Sequence, residues 1–137
     1  MTTRSFADVA VGEELPQLDV ELTRTLIVAT AIASRDYQDV HHDPELAHER
    51  GSKDIFMNIL STNGFVGRFI TDWAGPDAVL KSVAIRLGAP NYPGDTMTMT
   101  GKVTAKGDGT VEVAVRGANS LGYHVTGTVA LALPQPS

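Results

Sequence analysis

The sequence predicts an α+β fold in which a curved antiparallel sheet surrounds one long helix. Two observations support this prediction: a single long helical pattern covers residues 56–73, and four later segments alternate apolar residues with polar or small ones. Short turns join these segments, and consecutive strands joined by short turns pair antiparallel. The 137 residues are enough for one domain with its own core, so we take 1–137 as a single domain.

The first half of the chain contains one strand and the helical segments. Apolar residues alternate over 18–22, as in a strand. Thr23 is a suitable helix N-cap, and helical spacing continues from there to about Ser34. The long helix over 56–73 has one apolar stripe, and Gly75-Pro76 ends it.

The second half is predicted to be a four-strand meander. Its first two strands are centred on 83–87 and 97–101, with a turn-rich break between them. Gly107-Asp108-Gly109 is typical of a hairpin turn, and residues 119–122 form the next turn. Only residues 134–137 have the composition of a frayed tail.

Two glycines inside the long helix need an explanation, since glycine weakens a helix interior by up to about 1 kcal/mol relative to alanine. These are Gly64 and Gly67. We expect them to allow close packing of the helix on the sheet.

Composition and charge exclude several classes of protein. The chain has no cysteine, which removes disulfides, thiolate metal sites and cysteine nucleophiles. Its net charge is −5 and no two basic residues are adjacent, which argues against nucleic-acid binding. The longest apolar stretch, 26–33, is far shorter than the roughly 20 residues of a membrane span, and no signal core precedes it. We expect a soluble, cytoplasmic protein.

A polar stretch over 35–53 follows the first helix and contains the most informative pair of residues. Asp36 and His41 are five residues apart, so a carboxylate and an imidazole can converge on one water molecule. Such a pair can perform general acid–base chemistry near neutral pH. The spacing alone equally fits an ordinary turn or cap role for the aspartate.

The other histidines are predicted to have lesser roles. We expect His42 to be solvated or to support His41, His48 to lie on the surface, and His124 to be a structural histidine with satisfied ring nitrogens. The spacing of the histidines fits no common zinc pattern, so we expect no metal site.

Residues 36–47 resemble the signature of the MaoC-like (R)-specific enoyl-CoA hydratases, which have the hot-dog fold. The signature is Gly-Asp-x-Asn-Pro-aliphatic-His, followed after five residues by Ala or Ser. Segments 85–96 and 6–13 resemble the family's Pro-Gly-Asp-Thr turn and its N-terminal lead-in. The signature positions are occupied here by Asp36, Val40, His41 and Ala47.

The chain departs from the family pattern at four positions. Arg35 replaces the signature glycine, and Gln38 and Asp39 replace Asn-Pro. Asn58 lies where the family usually enters the long helix through Ala-His-Gly, whose glycine amide binds an oxyanion. Asn58 retains a backbone N–H, and a helix N-terminus favours negative charge, so the donor can survive the change.

The resemblance implies an enoyl-CoA hydratase that adds water to a trans 2-enoyl-CoA and gives a 3-hydroxyacyl-CoA. It implies that Asp36 and His41 hold and activate the water, while the Asn58 backbone N–H stabilises charge on the thioester oxygen. Coenzyme A is then part of the substrate, and no metal or redox cofactor is needed. Substrate-pocket candidates are Met57, Tyr37 and Arg86, although Met57 equally suits the core and Arg86 equally suits pairing with a carboxylate.

Within the family, segments 54–60 and 71–76 are most similar to the small subunit of actinobacterial steroid side-chain hydratases. This similarity implies a bulky steroid side-chain thioester as substrate and a hetero-oligomer with a second hot-dog subunit, with a homodimer as the alternative. Three other functions stay open: a dehydratase subunit of fatty-acid or mycolic-acid elongation acting on carrier-protein thioesters, a thioesterase, and a non-catalytic partner subunit. A thioesterase usually has its carboxylate on the long helix, and residues 58–70 contain none.

Overall fold

The computed structural model describes residues 2–135. Single turns of 3-10 helix lie at Phe6–Asp8 and Asp39–His41. No helix within the described residues is long and apolar enough to cross a membrane. The helices are α1 (Arg24–Ala33), α2 (Pro44–Glu49) and α3 (Ile59–Ala74), and the strands are β1 (Leu18–Glu21), β2 (Val79–Leu87), β3 (Thr96–Gly107), β4 (Thr110–Asn119) and β5 (Gly122–Ala132).

The five strands form one antiparallel sheet in the order β1-β3-β4-β5-β2. The predicted fold class is confirmed, and β3, β4 and β5 form a meander through the two predicted turns. The predicted four-strand meander is wrong, because β2 pairs with β5 and β1 pairs with β3. Segment 88–95 therefore passes two intervening strands, about 14 Å at ~4.8 Å per strand, which a segment of that length can span.

Helix α3 begins later than predicted, at Ile59 and not at Phe56, because Asn58 caps it. The Asn58 side chain accepts a hydrogen bond from the Ser61 backbone N–H at 3.1 Å, and the Asn58 backbone is extended. Gly75, with a φ of 96°, ends the helix as the Gly-Pro pair predicted. The start of α3 is thus set by a side chain that also lies near the candidate site.

The core lies between α3 and the sheet. Burial of one large apolar side chain stabilises a fold by about 1.5–3 kcal/mol, so this cluster is the main source of stability. Its central members are Val66, Phe69, Ile70 and Trp73 from α3 and Met97, Met99, Val113, Val129 and Leu131 from the strands.

The prediction that Gly64 and Gly67 allow close packing on the sheet is wrong. A Cβ at Gly64 would meet no described atom within 4 Å, and one at Gly67 would meet only a Leu80 methyl carbon at 3.9 Å. The face of α3 that carries Gly64 is therefore open in the isolated chain.

The two ends of the described chain lie close together. The Phe6 backbone N–H donates to the Pro134 carbonyl at 2.9 Å, so the prediction of a frayed tail is wrong at Pro134. Pro136 and Ser137, which belong to the same predicted tail, lie outside the described residues.

Candidate active site

The end of helix α1 places Asp36 through backbone hydrogen bonds. The Arg35 N–H donates to the Ile32 carbonyl at 3.0 Å, and the Asp36 N–H donates to the Ala31 carbonyl at 2.9 Å, which together form a Schellman closure. Arg35 has a left-handed φ of 57°, a conformation that favours glycine. Arginine therefore occupies a backbone turn that favours glycine, at the position where the signature has glycine.

The polar stretch that follows is ordered by a 3-10 turn and by α2, and is not one long connection. Asp43 caps α2 by accepting bonds from two first-turn N–H groups at 3.1 and 3.2 Å. The Arg50 guanidinium, just after α2, donates to both oxygens of Asp39 at 2.6 and 2.9 Å. These contacts hold the turn that carries His41.

The side chains of His41 and Asp36 converge here. His41 is only 6% exposed, and its Nε2 lies 3.5 Å from Asp36 Oδ2. The other ring nitrogen, Nδ1, lies 2.6 Å from the Phe56 carbonyl oxygen. A carbonyl can only accept, so Nδ1 carries the proton, and in the neutral ring Nε2 presents a lone pair towards Asp36.

Two N–H donors hold the Asp36 carboxylate. Oδ1 accepts from the Gln38 backbone N–H at 3.2 Å, and Oδ2 accepts from Asn58 Nδ2 at 3.1 Å. Burial raises the pKa of Asp36, but the bonds from Asn58 and Gln38, together with the charge that His41 carries when it is protonated, outweigh burial, so this pKa lies below its ordinary value. Asp36 is therefore ionised at neutral pH.

The arrangement of the pair suits a water molecule. The ionised carboxylate and, in the neutral imidazole, Nε2 are both hydrogen-bond acceptors, and they face each other at 3.5 Å. Water has two O–H donors and can satisfy both acceptors at once. A water held in this way is placed for general acid–base chemistry.

The start of α3 adds a backbone donor beside the pair. Within residues 2–135 no acceptor is found for the Asn58 backbone N–H, whereas the N–H groups of the two preceding residues are bonded to backbone carbonyls. Asn58 precedes a helix of 16 residues, whose N-terminus favours negative charge. The structure thus brings Asp36, His41 and Asn58 together, and their chemical roles stay predictions.

The three substrate-pocket candidates lie in different settings. Met57 is 2% exposed and belongs to the core, with its sulfur 3.7 Å from Asn91 Nδ2. Tyr37 is 64% exposed. Arg86 is exposed on the edge strand β2 and makes no salt bridge with any carboxylate in the described part of the chain.

The remaining histidines have the predicted settings. His42 Nε2 lies 3.1 Å from the Tyr37 carbonyl oxygen, and His48 is exposed. His124 is buried on β5, and both of its ring nitrogens have partners. The His, Asp and Glu side chains of residues 2–135 form no group of three or more that could hold a metal ion.

Sequence reasoning missed the side chains that surround the Asn58 amide. Ser34 accepts a bond from Asn58 Nδ2 at 3.0 Å, and Ser61 donates to Asn58 Oδ1. The preference for asparagine at helix N-caps could have identified the Asn58 cap, but no local pattern joins Ser34 to Asn58.

Ser34 and Ser61 also border a cleft of about 300 Å³ between α1 and α3, whose apolar lining includes Ala33, Leu60, Gly64 and Phe65.

Comparison with known proteins connects this chain to a family. Residues 7–122 match the model of the MaoC like domain. A Mycobacterium tuberculosis protein (strain ATCC 25618 / H37Rv) described as the 3-oxo-4,17-pregnadiene-20-carboxyl-CoA hydratase beta subunit is 54% identical over 123 residues, which are 90% of this chain and 95% of the relative.

Two solved structures show the same architecture. A chain in the crystal structure of the ChsH1-ChsH2 complex from M. tuberculosis matches with a TM-score of 0.90 and 54% identity, over 91% of this chain and 98% of that chain. The (R)-hydratase from A. caviae involved in PHA biosynthesis matches with a TM-score of 0.85 and 20% identity, over 93% of this chain and 98% of that chain. The second likeness concerns the fold alone and agrees with the predicted hot-dog fold.

Proposed function

This chain belongs to the MaoC-like domain family, and on that premise we propose that it is the water-adding subunit of an enoyl-CoA hydratase. It adds water across the trans double bond of a 2-enoyl-CoA and yields a 3-hydroxyacyl-CoA. The observation that supports this most directly is the pair of facing acceptors, Asp36 Oδ2 and His41 Nε2, 3.5 Å apart.

The pair activates the water molecule that it holds. The water donates one O–H to the Asp36 carboxylate and the other to His41 Nε2. As the water oxygen bonds to C3 of the enoyl group, one proton passes to the pair and the π electrons move towards the thioester carbonyl. A proton from the pair then goes to C2, so the hydroxyl on C3 and the hydrogen on C2 account for the added water.

The Asn58 backbone N–H serves as the donor for the thioester oxygen, on which negative charge builds. It lacks an acceptor within residues 2–135, and the Asn58 side chain contacts Asp36 at 3.1 Å, so the donor belongs to a residue that touches the acid–base pair. A donor of this kind typically lowers the barrier by ~2.7–4 kcal/mol. Coenzyme A enters as part of the substrate, and these steps require no metal or redox cofactor.

A bulky steroid side-chain thioester is the acyl substrate that we propose. The M. tuberculosis relative, 54% identical, is described as a 3-oxo-4,17-pregnadiene-20-carboxyl-CoA hydratase subunit. The apolar cleft between α1 and α3 is bordered by Ser34 and Ser61, which hold the Asn58 amide. An apolar acyl group could enter the site from this side.

We further propose that the chain works in a hetero-oligomer with a second hot-dog subunit. The relative is a beta subunit, and the matching structure is a complex of two proteins. In this chain the edge strand β2 exposes Val79, Leu80 and Leu87, and natural sheet edges are usually covered or paired. Native mass spectrometry with a candidate second subunit measures the assembly. If the chain alone is a fully active homodimer on short linear enoyl-CoAs, both the steroid and the heteromer proposals are wrong.

The variant Asp36→Asn tests the chemistry. It removes the carboxylate charge with little change in shape, so kcat/KM for the steroid enoyl-CoA should fall by at least about 100-fold. Product is measured by mass spectrometry of the 3-hydroxyacyl-CoA, with the second subunit present. Asp19→Asn is the matched control, because Asp19 is exposed on β1, accepts from the Thr98 hydroxyl and does not touch His41, and it should retain the parent's turnover. Unchanged turnover in Asp36→Asn would assign the chemistry to another chain.

A dehydratase would use the same Asp36–His41 geometry, whereas a non-catalytic subunit conflicts with it. A dehydratase would run the same steps in reverse on a carrier-protein thioester, and parallel assays on both carriers distinguish the two. A non-catalytic subunit would have no use for an ionised carboxylate facing the lone pair of a buried imidazole, which is the arrangement found at Asp36 and His41.

A further inference from the structure

The Asn58 side chain uses all of its hydrogen-bonding groups although it is only 2% exposed. Its Oδ1 accepts from the Ser61 backbone N–H at 3.1 Å and from the Ser61 hydroxyl. Its Nδ2 donates to Ser34 Oγ at 3.0 Å and to Asp36 Oδ2 at 3.1 Å. A backbone N–H can only donate and a carboxylate can only accept, so these partners determine which way the amide faces.

Ser34 connects this amide to the end of α1. Its hydroxyl donates to the Thr30 carbonyl at 2.7 Å, which leaves a lone pair on Oγ for Asn58 Nδ2. Through the same amide, Asn58 caps α3 and contacts Asp36. One side chain therefore joins the end of α1, the Asp36 carboxylate and the start of α3.

The bond from Asn58 lies on the oxygen of Asp36 that faces His41. Both the Asn58 contact, at 3.1 Å, and the His41 contact, at 3.5 Å, involve Asp36 Oδ2. A hydrogen bond to a carboxylate stabilises its ionised form. The amide thus acts on the charge of Asp36 and on the direction in which Oδ2 points.

We propose that the Asn58 side chain is a positioning residue, which keeps Asp36 ionised with Oδ2 turned towards His41 and couples that geometry to the N-cap of α3. This inference rests on the proposed function and gives the side chain a role separate from that of the Asn58 backbone N–H. It gives a reason for asparagine at the position where the family usually has the glycine of Ala-His-Gly.

Two variants of the full chain separate the two functions of the Asn58 side chain, which are to donate to Asp36 and to cap α3. Asn58→Ser keeps a good N-cap and removes the amide donor. Asn58→Asp keeps the cap and the shape but places a second carboxylate against Asp36, so the two groups must share one proton. Carbon-13 NMR titration of the Asp36 carboxyl should show its pKa raised by about one pH unit in Asn58→Ser and by more in Asn58→Asp.

The same variants have a distinctive effect in the hydratase assay. With the second subunit present, kcat should fall in both variants. The loss in Asn58→Asp should grow as the pH falls, because a raised pKa leaves a larger fraction of Asp36 protonated at low pH than in the parent.

The matched control is Thr23→Ala. Thr23 caps α1 through a bond from the Leu26 N–H at 3.0 Å and does not touch Asp36. Its removal should lower the urea midpoint as the loss of any N-cap does, while the Asp36 pKa and the pH dependence of kcat stay as in the parent. If the role of Asn58 were only that of a cap, Asn58→Ser would change neither of these quantities.

The unmodified chain supplies an independent measurement that does not depend on the folding of a variant. The side-chain amide resonances of Asn58 should titrate with the same midpoint as the Asp36 carboxyl. Asn58 resonances that do not follow Asp36, or an unchanged Asp36 pKa in the folded variants, would overturn the inference. Neither readout needs turnover, so Asp36→Asn decides the proposed function separately.

Discussion

Two buried histidines, His41 before α2 and His124 on β5, make the same first hydrogen bond. In His41, Nδ1 lies 2.6 Å from the Phe56 carbonyl oxygen, and in His124, Nδ1 lies 2.7 Å from the Ala89 carbonyl oxygen. Each carbonyl places a proton on Nδ1, so both neutral rings present a lone pair at Nε2.

The two rings differ at Nε2. His124 Nε2 accepts from the Thr62 hydroxyl at 2.8 Å, which links β5 to α3. His41 Nε2 instead faces the Asp36 carboxylate at 3.5 Å, with no proton donor between them in the described chain. Both nitrogens of His124 are already bonded to groups of the protein, whereas the lone pair of a neutral His41, beside a carboxylate, is available for proton transfer. The comparison therefore supports the proposed acid–base role of His41 and a structural role for His124.

The largest expected effect is a contrast between two alanine variants: one histidine should affect turnover and the other should affect stability. His41→Ala should lower kcat/KM by at least about 100-fold, because it removes one of the two proposed acid–base groups. His124→Ala should instead lower the free energy of unfolding by about 1–3 kcal/mol, because the Thr62 hydroxyl and the Ala89 carbonyl lose their partner inside the protein. Turnover per folded molecule should change little in His124→Ala.

Steady-state kinetics and urea unfolding of both variants measure this contrast. Retained activity in His41→Ala, or full stability in His124→Ala, would show that the bonding of Nε2 does not separate the two roles.

A smaller effect is expected in the pH dependence of stability. Burial lowers the pKa of His124, and the bond to the Ala89 carbonyl only partly opposes this. The unfolded chain, whose histidines titrate near 6.5, therefore binds the proton more readily than the folded chain does. The stability that depends on neutral His124 is complete above about pH 6.5 and is lost as the pH falls towards the folded-state pKa.

Urea unfolding at pH 8 and pH 5.5 measures this loss in the parent and in His124→Gln, which should lose less over the same interval. His48→Gln is the control, because His48 is exposed, and it should keep the parent's pH dependence. An equal pH dependence in all three proteins would show that His124 does not cause the loss of stability at low pH.

The smallest effect concerns the backbone beside Asp36. Arg35→Gly should stabilise the chain by about 0–1 kcal/mol, since relief of a left-handed φ of 57° exceeds the added entropy of the unfolded chain only slightly. Asp108→Gly, at a φ of 54° in the hairpin turn, should gain less because aspartate tolerates this conformation better. The difference in urea midpoint between the two variants measures the backbone strain at Arg35. A larger gain in stability at Asp108 would contradict the expectation that Arg35 is the more strained residue.

Several elements followed from short-range pattern because their causes lie within a few residues. Thr23 caps α1 as predicted, by accepting a bond from the Leu26 N–H, and Gly75 ends α3. The hairpin turn at 107–109 joins β3 to β4. A cap, a glycine stop and a tight turn are each decided by the chemistry of neighbouring residues, so the amino-acid sequence is enough to infer them.

Such reasoning predicted the residues of the candidate site but not the contacts between them. The Asp36 and His41 pair followed from its spacing and from the family signature. The contacts of Asn58 with Ser34 and Asp36 span 24 and 22 positions, and no periodicity carries information over that distance. The packing prediction for Gly64 was wrong for the same reason, because what a glycine packs against depends on distant segments of the chain.

The sequence by itself determined the α+β class, the single long helix and the order of its five strands, and it indicated the pairing of Asp36 with His41. Only the tertiary structure decided that β2 lies beside β5, that Asn58 turns its amide to Asp36, and that His41 Nε2 is left open while His124 Nε2 is not. The reason is that caps and turns are satisfied by neighbours in the chain. The second partner of a buried polar group comes from whichever distant segment the packing brings within about 3 Å.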